Sequence, residues 1–260
     1  MTIPHHLVLE GLRSINPLQQ ALGDLICIAF YFLLRVGEYT YKPSKQQTWT
    51  QRFQIKDIIF RQADHSIIAN TAPLADLLLA TNATLCISNQ KNGKQGQCIS
   101  HHCTQTTYSP IKALARQVAH IMSNTTNHNT AISAYFIIIP GLPTQITATH
   151  INNTLKQAVH HLGLSKFGFT HENVSSHSLR AGGAMAMKLN GIDSITIKKR
   201  DAGPQTPSLT TSKNILEHSQ QALQLKCHST SHSTTPVTYS TNHTYMKQRI
   251  TLIHQTNTPT

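Results

Sequence analysis

The sequence predicts an α+β fold that is mainly α-helical and contains a small antiparallel β-sheet. An apolar helical pattern begins at Pro17, and short β-like runs around a turn-rich segment lie between residues 53 and 100. Further helical patterns follow before residue 200. These patterns predict one folded domain in residues 1–200, with residues 201–260 as a separate tail.

The first core helix is predicted over residues 17–34, where apolar residues recur at spacings of three and four and Pro17 occupies the first turn. The repeating positions are Leu22, Leu25, Ile26, Ala29, Phe30 and Leu33. Residues 25–34 are the most apolar, but they are far fewer than the roughly 20 residues that cross a bilayer. We therefore expect a buried helix, followed directly by Arg35, and no membrane partner.

The sheet is predicted from β-like runs over residues 53–60, 66–68, 84–88 and 97–100. Residues 89–96, Asn-Gln-Lys-Asn-Gly-Lys-Gln-Gly, have the chemistry of a hairpin turn between the last two runs. Helices are then expected over residues 110–123, 147–162 and 176–190, the last one closed by Gly191.

The chain is strongly basic, because 22 Lys and Arg against 10 Asp and Glu give a formal net charge of +12. Such an excess suits a polyanionic partner, of which nucleic acid is the most common. The alternative is that the charge reflects only base composition or solubility.

The cysteines are odd in number and scattered, and no secretory leader precedes them, which indicates an intracellular protein with reduced thiols. They are Cys27, Cys86, Cys98, Cys103 and Cys227. The segment Cys98-x-x-His101-His102-Cys103 contains zinc-ligand residue types. A single cluster near a strand end, without a second pair at suitable spacing, is not expected to close a tetrahedron, so no metal is predicted.

Three segments are informative as a set, because they occur in a particular order along the chain. They are Leu-Arg-Val-Gly-Glu at residues 34–38, the predicted hairpin with Lys91, and His-Ser-Leu-Arg-Ala-Gly-Gly-Ala at residues 177–184. With this set, residues 17–200 resemble the catalytic domain of the tyrosine recombinase (phage integrase) family. The strings NQKNG, KALAR and SSHSLRAGGAMAM are similar to the sub-group carried by Crypton-like mobile elements. Taken singly, each of these residues would more often be an ordinary capping or surface residue.

The resemblance implies a role for each residue. Arg35 and Arg180 would clamp the non-bridging oxygens of the scissile phosphate, for which planar guanidinium groups are suited. The hairpin lysine would protonate the leaving 5′ oxygen; we assign Lys91, with Lys94 as the alternative. His177 would share a helical face with Arg180 and exchange a proton with the attacking or leaving oxygen.

Glu38, three residues beyond Arg35, would orient that arginine as a supporting carboxylate. The small residues that follow Arg180 would permit close packing under the DNA. The family transfers strands through a 3′ phosphotyrosine intermediate without a metal or nucleotide cofactor. The resemblance therefore implies double-stranded DNA as the partner, a homo-oligomer assembled on that DNA, and no cofactor.

The resemblance stops where the nucleophilic tyrosine is expected, near Thr211. The first tyrosines after Arg180 are Tyr239 and Tyr245. Ser and Thr make up 20 of the last 60 residues, a composition that favours a loose or disordered tail. The sequence therefore predicts a truncated catalytic domain without its nucleophile.

A one-base shift of the reading frame accounts for the missing tyrosine. In the shifted frame, the second and third bases of each codon are the first two bases of a codon in the frame that encodes the present sequence. On this basis residues 201–212 permit the family segment Gly-Arg-Trp-Ser-Ser-Asp-Thr-Phe-Leu-Asp-Tyr-Ile, with its tyrosine codon across Thr210 and Thr211. We therefore expect the chain from about Arg200 to be out-of-frame translation; the alternative is a genuinely diverged tail.

The sequence thus predicts a DNA-binding, integrase-like protein of DNA recombination and DNA integration, inactive for lack of the nucleophile. Its expected location is intracellular, in the nucleus or nucleoid if it functions. The main alternative is a non-catalytic DNA-binding remnant of a mobile element. A remote third interpretation is an RNA-binding or structural basic protein unrelated to recombination.

Overall fold

The computed structural model describes residues 2–43, 52–87, 97–103, 108–137, 143–195 and 197. The chain divides into two units, Met1–Gln224 and Leu225–Thr260, and every described residue belongs to the first. The expected domain boundary near residue 200 and the tail of residues 201–260 lie outside the described residues.

The central element is helix α2, Pro17–Phe32, whose residues 21–29 are buried on every side. Asn16 caps its start by accepting a hydrogen bond from the Leu18 N–H at 2.9 Å. Helix α1, Ile3–Arg13, precedes it and packs along it. Gly23 permits this contact, because a Cβ there would lie 2.5 Å from the Leu7 carbonyl oxygen. The predicted helix over residues 17–34 is confirmed, but it ends earlier because Leu33 adopts the left-handed conformation with φ of 54°.

The short helix α3, Val36–Tyr39, follows α2 and leads to a four-stranded antiparallel sheet. The strands are β1, Ile58–Arg61; β2, Ile67–Ile68; β3, Asn82–Ile87; and β4, Gln97–His102, in the order β2-β1-β3-β4. Phe60 is paired with Ile68 on one side and Ala83 on the other, and all three are buried. The predicted small antiparallel sheet is therefore confirmed.

The first predicted strand, over residues 53–60, is wrong in its first half. The Asp57 carboxylate accepts a hydrogen bond from the Gln54 N–H at 2.9 Å and folds Ile55–Asp57 into a 3₁₀ turn. Such a local side-chain bond to the backbone competes with strand pairing. The strand consequently begins only at Ile58.

Cys86 and Cys98 lie directly opposite each other on β3 and β4 and are joined by a disulfide bond. The expectation of reduced thiols is therefore wrong for this pair. Their antiparallel register brings the two Cα atoms to 4.1 Å, a proximity that irregular spacing along the sequence does not reveal. Cys27 is a buried free cysteine.

Four more helices lie in the described part of the chain: α4, Leu74–Leu77; α5, Pro110–Met122; α6, Ala148–His161; and α7, Ser176–Leu189. Helices α5, α6 and α7 pack against α2, and α4 packs against α5. A 3₁₀ turn, Leu164–Phe167, follows α6, and strands β5, Ala134–Tyr135, and β6, Thr144–Gln145, pair with each other. The three predicted helices correspond to α5, α6 and α7, and Gly191 follows α7 with φ of 80°. The fold is thus mixed helix and small antiparallel sheet.

Candidate functional site

Arg35 immediately precedes α3 and is held by the carboxylate of Glu38. The Arg35 backbone N–H donates to Glu38 Oε2 at 2.7 Å, and its guanidinium Nη1 donates to Glu38 Oε1 at 3.2 Å. The Glu38 side chain is 2% exposed, whereas that of Arg35 is 31% exposed. The predicted contact between these residues is therefore present, and it fixes both the backbone and the side chain of the arginine.

The segment that carries this ion pair is anchored on both sides. The Glu38 carbonyl oxygen accepts a hydrogen bond from the Phe53 N–H at 2.9 Å, and the Tyr41 N–H donates to the Ile146 carbonyl oxygen at 2.7 Å. Between them, Tyr39 is completely buried, and its burial, followed by the charge of Glu38, raises the pKa of its phenol. Arg35 thus precedes a turn that backbone hydrogen bonds connect to two other segments of the chain.

Helix α7 carries His177 in its first turn and Arg180 three residues later. Its start is fixed by the Ser175 N–H, which donates to Ser178 Oγ at 3.1 Å, and by the Ser176 N–H, which donates to Asn152 Oδ1 on α6 at 2.8 Å. His177 is exposed and Arg180 is partly buried. Because residues three apart share a helical face, the two side chains are neighbours on α7.

Helix α7 crosses the last turn of α2 at a contact that only glycine permits. A Cβ on Gly183 would lie 2.3 Å from the Phe30 carbonyl oxygen and 2.6 Å from Leu33 Cδ2. Arg180 lies one helical turn before this crossing, and Arg35 follows Leu33 by two residues. Helix α7 therefore packs on the carboxyl end of α2, directly before the turn that carries Arg35, although 145 residues separate the two arginines in sequence (180 minus 35).

The structure does not describe the other predicted site residues. Lys91, the alternative Lys94 and the expected nucleophile position Thr211 all lie outside the described residues. Gly183 is one of the small residues after Arg180 expected to permit close packing under the DNA. In the structure it permits close packing of α7 on α2. Arg35, held by a carboxylate, and Arg180 with the exposed imidazole of His177 each offer donors suited to an anion.

The segment from Cys98 to Cys103 has a structural role in the sheet. The Cys98 thiol is bonded to Cys86 and cannot serve as a thiolate ligand. The His101 side chain is buried against Phe32, with ring centroids 4.4 Å apart in an edge-to-face arrangement. This contact joins β4 to the last turn of α2.

Sequence reasoning missed a cluster of potential metal ligands formed by His6, Glu10 and His161. The signal available was the spacing of His6 and Glu10, which share one face of α1. His161 belongs to α6, and the sequence contains no sign of its proximity to that face.

In the described part of the chain, no helix combines the length and apolar character required to cross a membrane. No protein-family model matches this sequence, and no curated protein matches it.

Proposed function

We propose that this chain is a tyrosine-recombinase-like protein that binds double-stranded DNA but does not cleave it. The observation that carries the proposal is the crossing of α7 over the end of α2, which places the helix of Arg180 against Phe30 and Leu33, shortly before Arg35 in the chain. The family's catalytic-domain fold for residues 1–200 is part of this proposal.

The chemistry of the described residues supports a phosphate clamp. A guanidinium group offers donors in a planar fork that matches two oxygens of one phosphate. Arg35 has its backbone and one guanidinium nitrogen fixed by Glu38, so less conformational entropy is lost when it binds an anion. His177 can add a further donor from the helical face of Arg180.

The charge of the whole chain supports a nucleic-acid partner in the same way. A net charge of +12 raises the local concentration of a polyanion, and each phosphate neutralised by Lys or Arg releases counterions. We propose duplex DNA, bound without a cofactor and in more than one copy along the DNA. The corresponding location is intracellular, in the nucleus or nucleoid; this proposal follows from the DNA partner and no longer from the cysteines.

Two activities are compatible with such a clamp. A non-catalytic DNA-binding remnant of a mobile element needs only the arginines and the basic surface. Strand transfer also needs a tyrosine hydroxyl in line with the phosphate, and the position expected for it is Thr211. We favour binding without cleavage because that position has no phenol.

The test is duplex DNA binding by the full chain as a function of salt, measured by fluorescence anisotropy. We expect the affinity to fall steeply as salt rises. Arg35→Ala and Arg180→Ala should each weaken binding to every sequence and reduce the salt slope by about 1. RNA of the same length is used as a competitor. Weaker competition by RNA than by duplex DNA supports this proposal, and stronger competition indicates an RNA-binding protein.

Arg13→Ala is the matched control, because it removes the same charge near the opposite end of α2. Arg13 ends α1 beside the start of α2, and the 16 residues of α2 span about 24 Å. An equal loss of affinity in all three variants would indicate a diffuse basic surface and would overturn the clamp. Binding that does not depend on salt would overturn the proposal as a whole.

A further inference from the structure

We infer that His6, Glu10 and His161 form a binding site for a divalent transition-metal ion, for which Zn²⁺ is the best fit. Each side chain offers one ligand atom, and these atoms all lie within 4.8 Å of one another. His6 and Glu10 come from α1 and His161 from the last turn of α6. The site is independent of the proposed DNA clamp.

The donor set has the composition of a three-ligand zinc site. Two imidazoles and one carboxylate bind zinc in a tetrahedron whose fourth position is open to water. Metal–ligand bonds of about 2.0–2.1 Å place ligand atoms about 3.3 Å apart in such a tetrahedron. His6 Nε2 and Glu10 Oε1 are 3.2 Å apart, so this edge already has the required length.

The Nε2 atom of His6 is placed to accept a metal ion, although it already lies within ion-pair distance of Glu10. This atom is shielded from solvent and has no hydrogen-bond partner among the described residues, although the Glu10 oxygen lies close to it. A buried nitrogen without a hydrogen bond costs free energy, and coordination of a cation would remove that cost. The His6 side chain is 16% exposed and that of Glu10 is 46% exposed, so an ion can enter from the Glu10 side.

The position of His161 at the end of a helix also stabilises a bound cation. A helix carries partial negative charge at its carboxyl end, which stabilises a cation there. His161 is the last residue of α6. His161 and Glu10, but not His6, also line a groove of about 610 Å³ between α1, α2 and α6, so water can reach these two ligands.

Arg13 lines the same groove and opposes the approach of a cation. The site must therefore act by direct ligation and not by long-range attraction. Its structural consequence is a cross-link between α1 and α6. Metal binding should accordingly stabilise the folded chain, since a ligand that binds only the native state raises its stability.

The test uses the full chain after treatment with a chelator. Co²⁺ is titrated as a spectroscopic probe of tetrahedral geometry, and Zn²⁺ affinity is measured by competition with a chromophoric chelator. We expect one equivalent of Zn²⁺ to bind tightly and to raise the Tm. His161→Ala and Glu10→Gln should each lower that affinity at least about 10-fold and abolish the rise in Tm.

His160→Ala is the matched control, because it removes the neighbouring exposed histidine of the same helical turn. It should bind Zn²⁺ as the parent chain does. Circular dichroism of each variant without metal verifies that the exposed substitutions leave the fold intact. Equal Zn²⁺ affinity in the parent and His161→Ala, or an equal loss in His160→Ala and His161→Ala, would overturn the inference.

Discussion

Arg116 on α5 forms a bidentate ion pair with Asp24 in the buried middle of α2. The Arg116 Nε atom donates to both carboxylate oxygens of Asp24, at 3.1 and 3.0 Å, and Nη2 donates to one of them. Burial of Asp24 outweighs the charge and hydrogen bonds of Arg116 and raises the pKa of the carboxyl to about 6. The arginine of the string KALAR therefore holds the core together and lies apart from the candidate clamp.

Arg116→Met should destabilise the fold by about 3–5 kcal/mol at pH 7, because it leaves the Asp24 carboxylate buried without a partner. Denaturant unfolding measures this change. A carboxyl with a raised folded-state pKa binds more protons when folded, so its contribution to stability is lost as pH rises through that pKa. The loss in free energy of unfolding caused by Arg116→Met should consequently be smaller at pH 5 than at pH 8.

The double variant Asp24→Asn/Arg116→Met distinguishes the interaction energy of the ion pair from the separate contributions of its two side chains to stability. It should be less destabilised than the sum of the single variants, because both charges are removed together. Additive losses would indicate that the two side chains contribute independently and that the ion pair is of no consequence.

Gly183→Ala should destabilise the protein by about 1–3 kcal/mol, because the added methyl group overlaps the Phe30 carbonyl oxygen and Leu33. The variant should also weaken DNA binding, since Arg180 lies one turn from the displaced contact. Thermal unfolding and fluorescence anisotropy measure the two effects.

Gly182→Ala is the control for this substitution. A Cβ there would meet the Phe30 ring at 3.4 Å, which is ordinary van der Waals contact. Alanine is also favoured over glycine in a helix by up to about 1 kcal/mol. The variant should therefore be as stable as the parent or slightly more so; equal destabilisation of both variants would show that the close crossing at Gly183 is not the cause.

Reduction of the Cys86–Cys98 disulfide should lower the stability of the chain by about 2–4 kcal/mol. The bond closes a short loop across β3 and β4, which restricts the unfolded chain. The variant Cys86→Ser/Cys98→Ser should match the reduced parent and should not respond to reductant. Alkylation without reductant, followed by mass spectrometry, provides the direct check: labelling of both residues in the parent would contradict the bond.

The stability of the chain should fall as pH decreases below about 6.5, in part because of His120. Its Nε2 atom accepts a hydrogen bond from the Phe136 N–H at 2.9 Å, and burial lowers its pKa from 6.5. A group with a lowered folded-state pKa binds fewer protons when folded, so stability present above pH 6.5 is lost as pH falls towards the folded pKa.

His120→Gln should reduce this dependence on pH. His5 contributes in the same direction, because burial and then the charge of the amino terminus lower its pKa to about 4. A residual slope is therefore expected. Identical pH profiles for His120→Gln and the parent would contradict the role of His120.

The α2 helix and the sheet could be predicted because their residue patterns repeat locally. Helix α1 has the same kind of signal, with Pro4, Leu7, Val8 and Gly11 buried on one face, and the prediction overlooked it. Strands β5 and β6 are two residues each and carry no period that could identify them.

The candidate site was predictable only in part, because its geometry depends on contacts between distant segments. The Arg35–Glu38 pair followed from a spacing of three residues. The pairing of Cys86 with Cys98 depends on strand register, and the proximity of His161 to His6 depends on how α6 packs against α1. Periodicity along the chain contains neither kind of information.

The chain should form no covalent adduct with DNA, even where it binds tightly. Arginines and a histidine can bind and polarise a phosphate, but the covalent intermediate needs a hydroxyl placed in line with it. Tyr31 and Tyr39 are the tyrosines nearest to Arg35 in sequence, four residues before and after it. Tyr39 is completely buried, and burial raises the pKa of both phenols. Incubation with a nicked suicide duplex, followed by denaturing electrophoresis, should give no shifted protein band.

Insertion or deletion of one base near the Arg200 codon supplies the positive control, because the restored frame would encode a tyrosine near Thr211. That protein should form an adduct on a suitable DNA, and Arg35→Ala or Arg180→Ala should abolish it. Tyr239 and Tyr245 provide the opposite test, since both lie outside the described residues. An adduct formed by the chain as it stands and lost in Tyr239→Phe or Tyr245→Phe would mean that residues 201–260 contribute to a working active site.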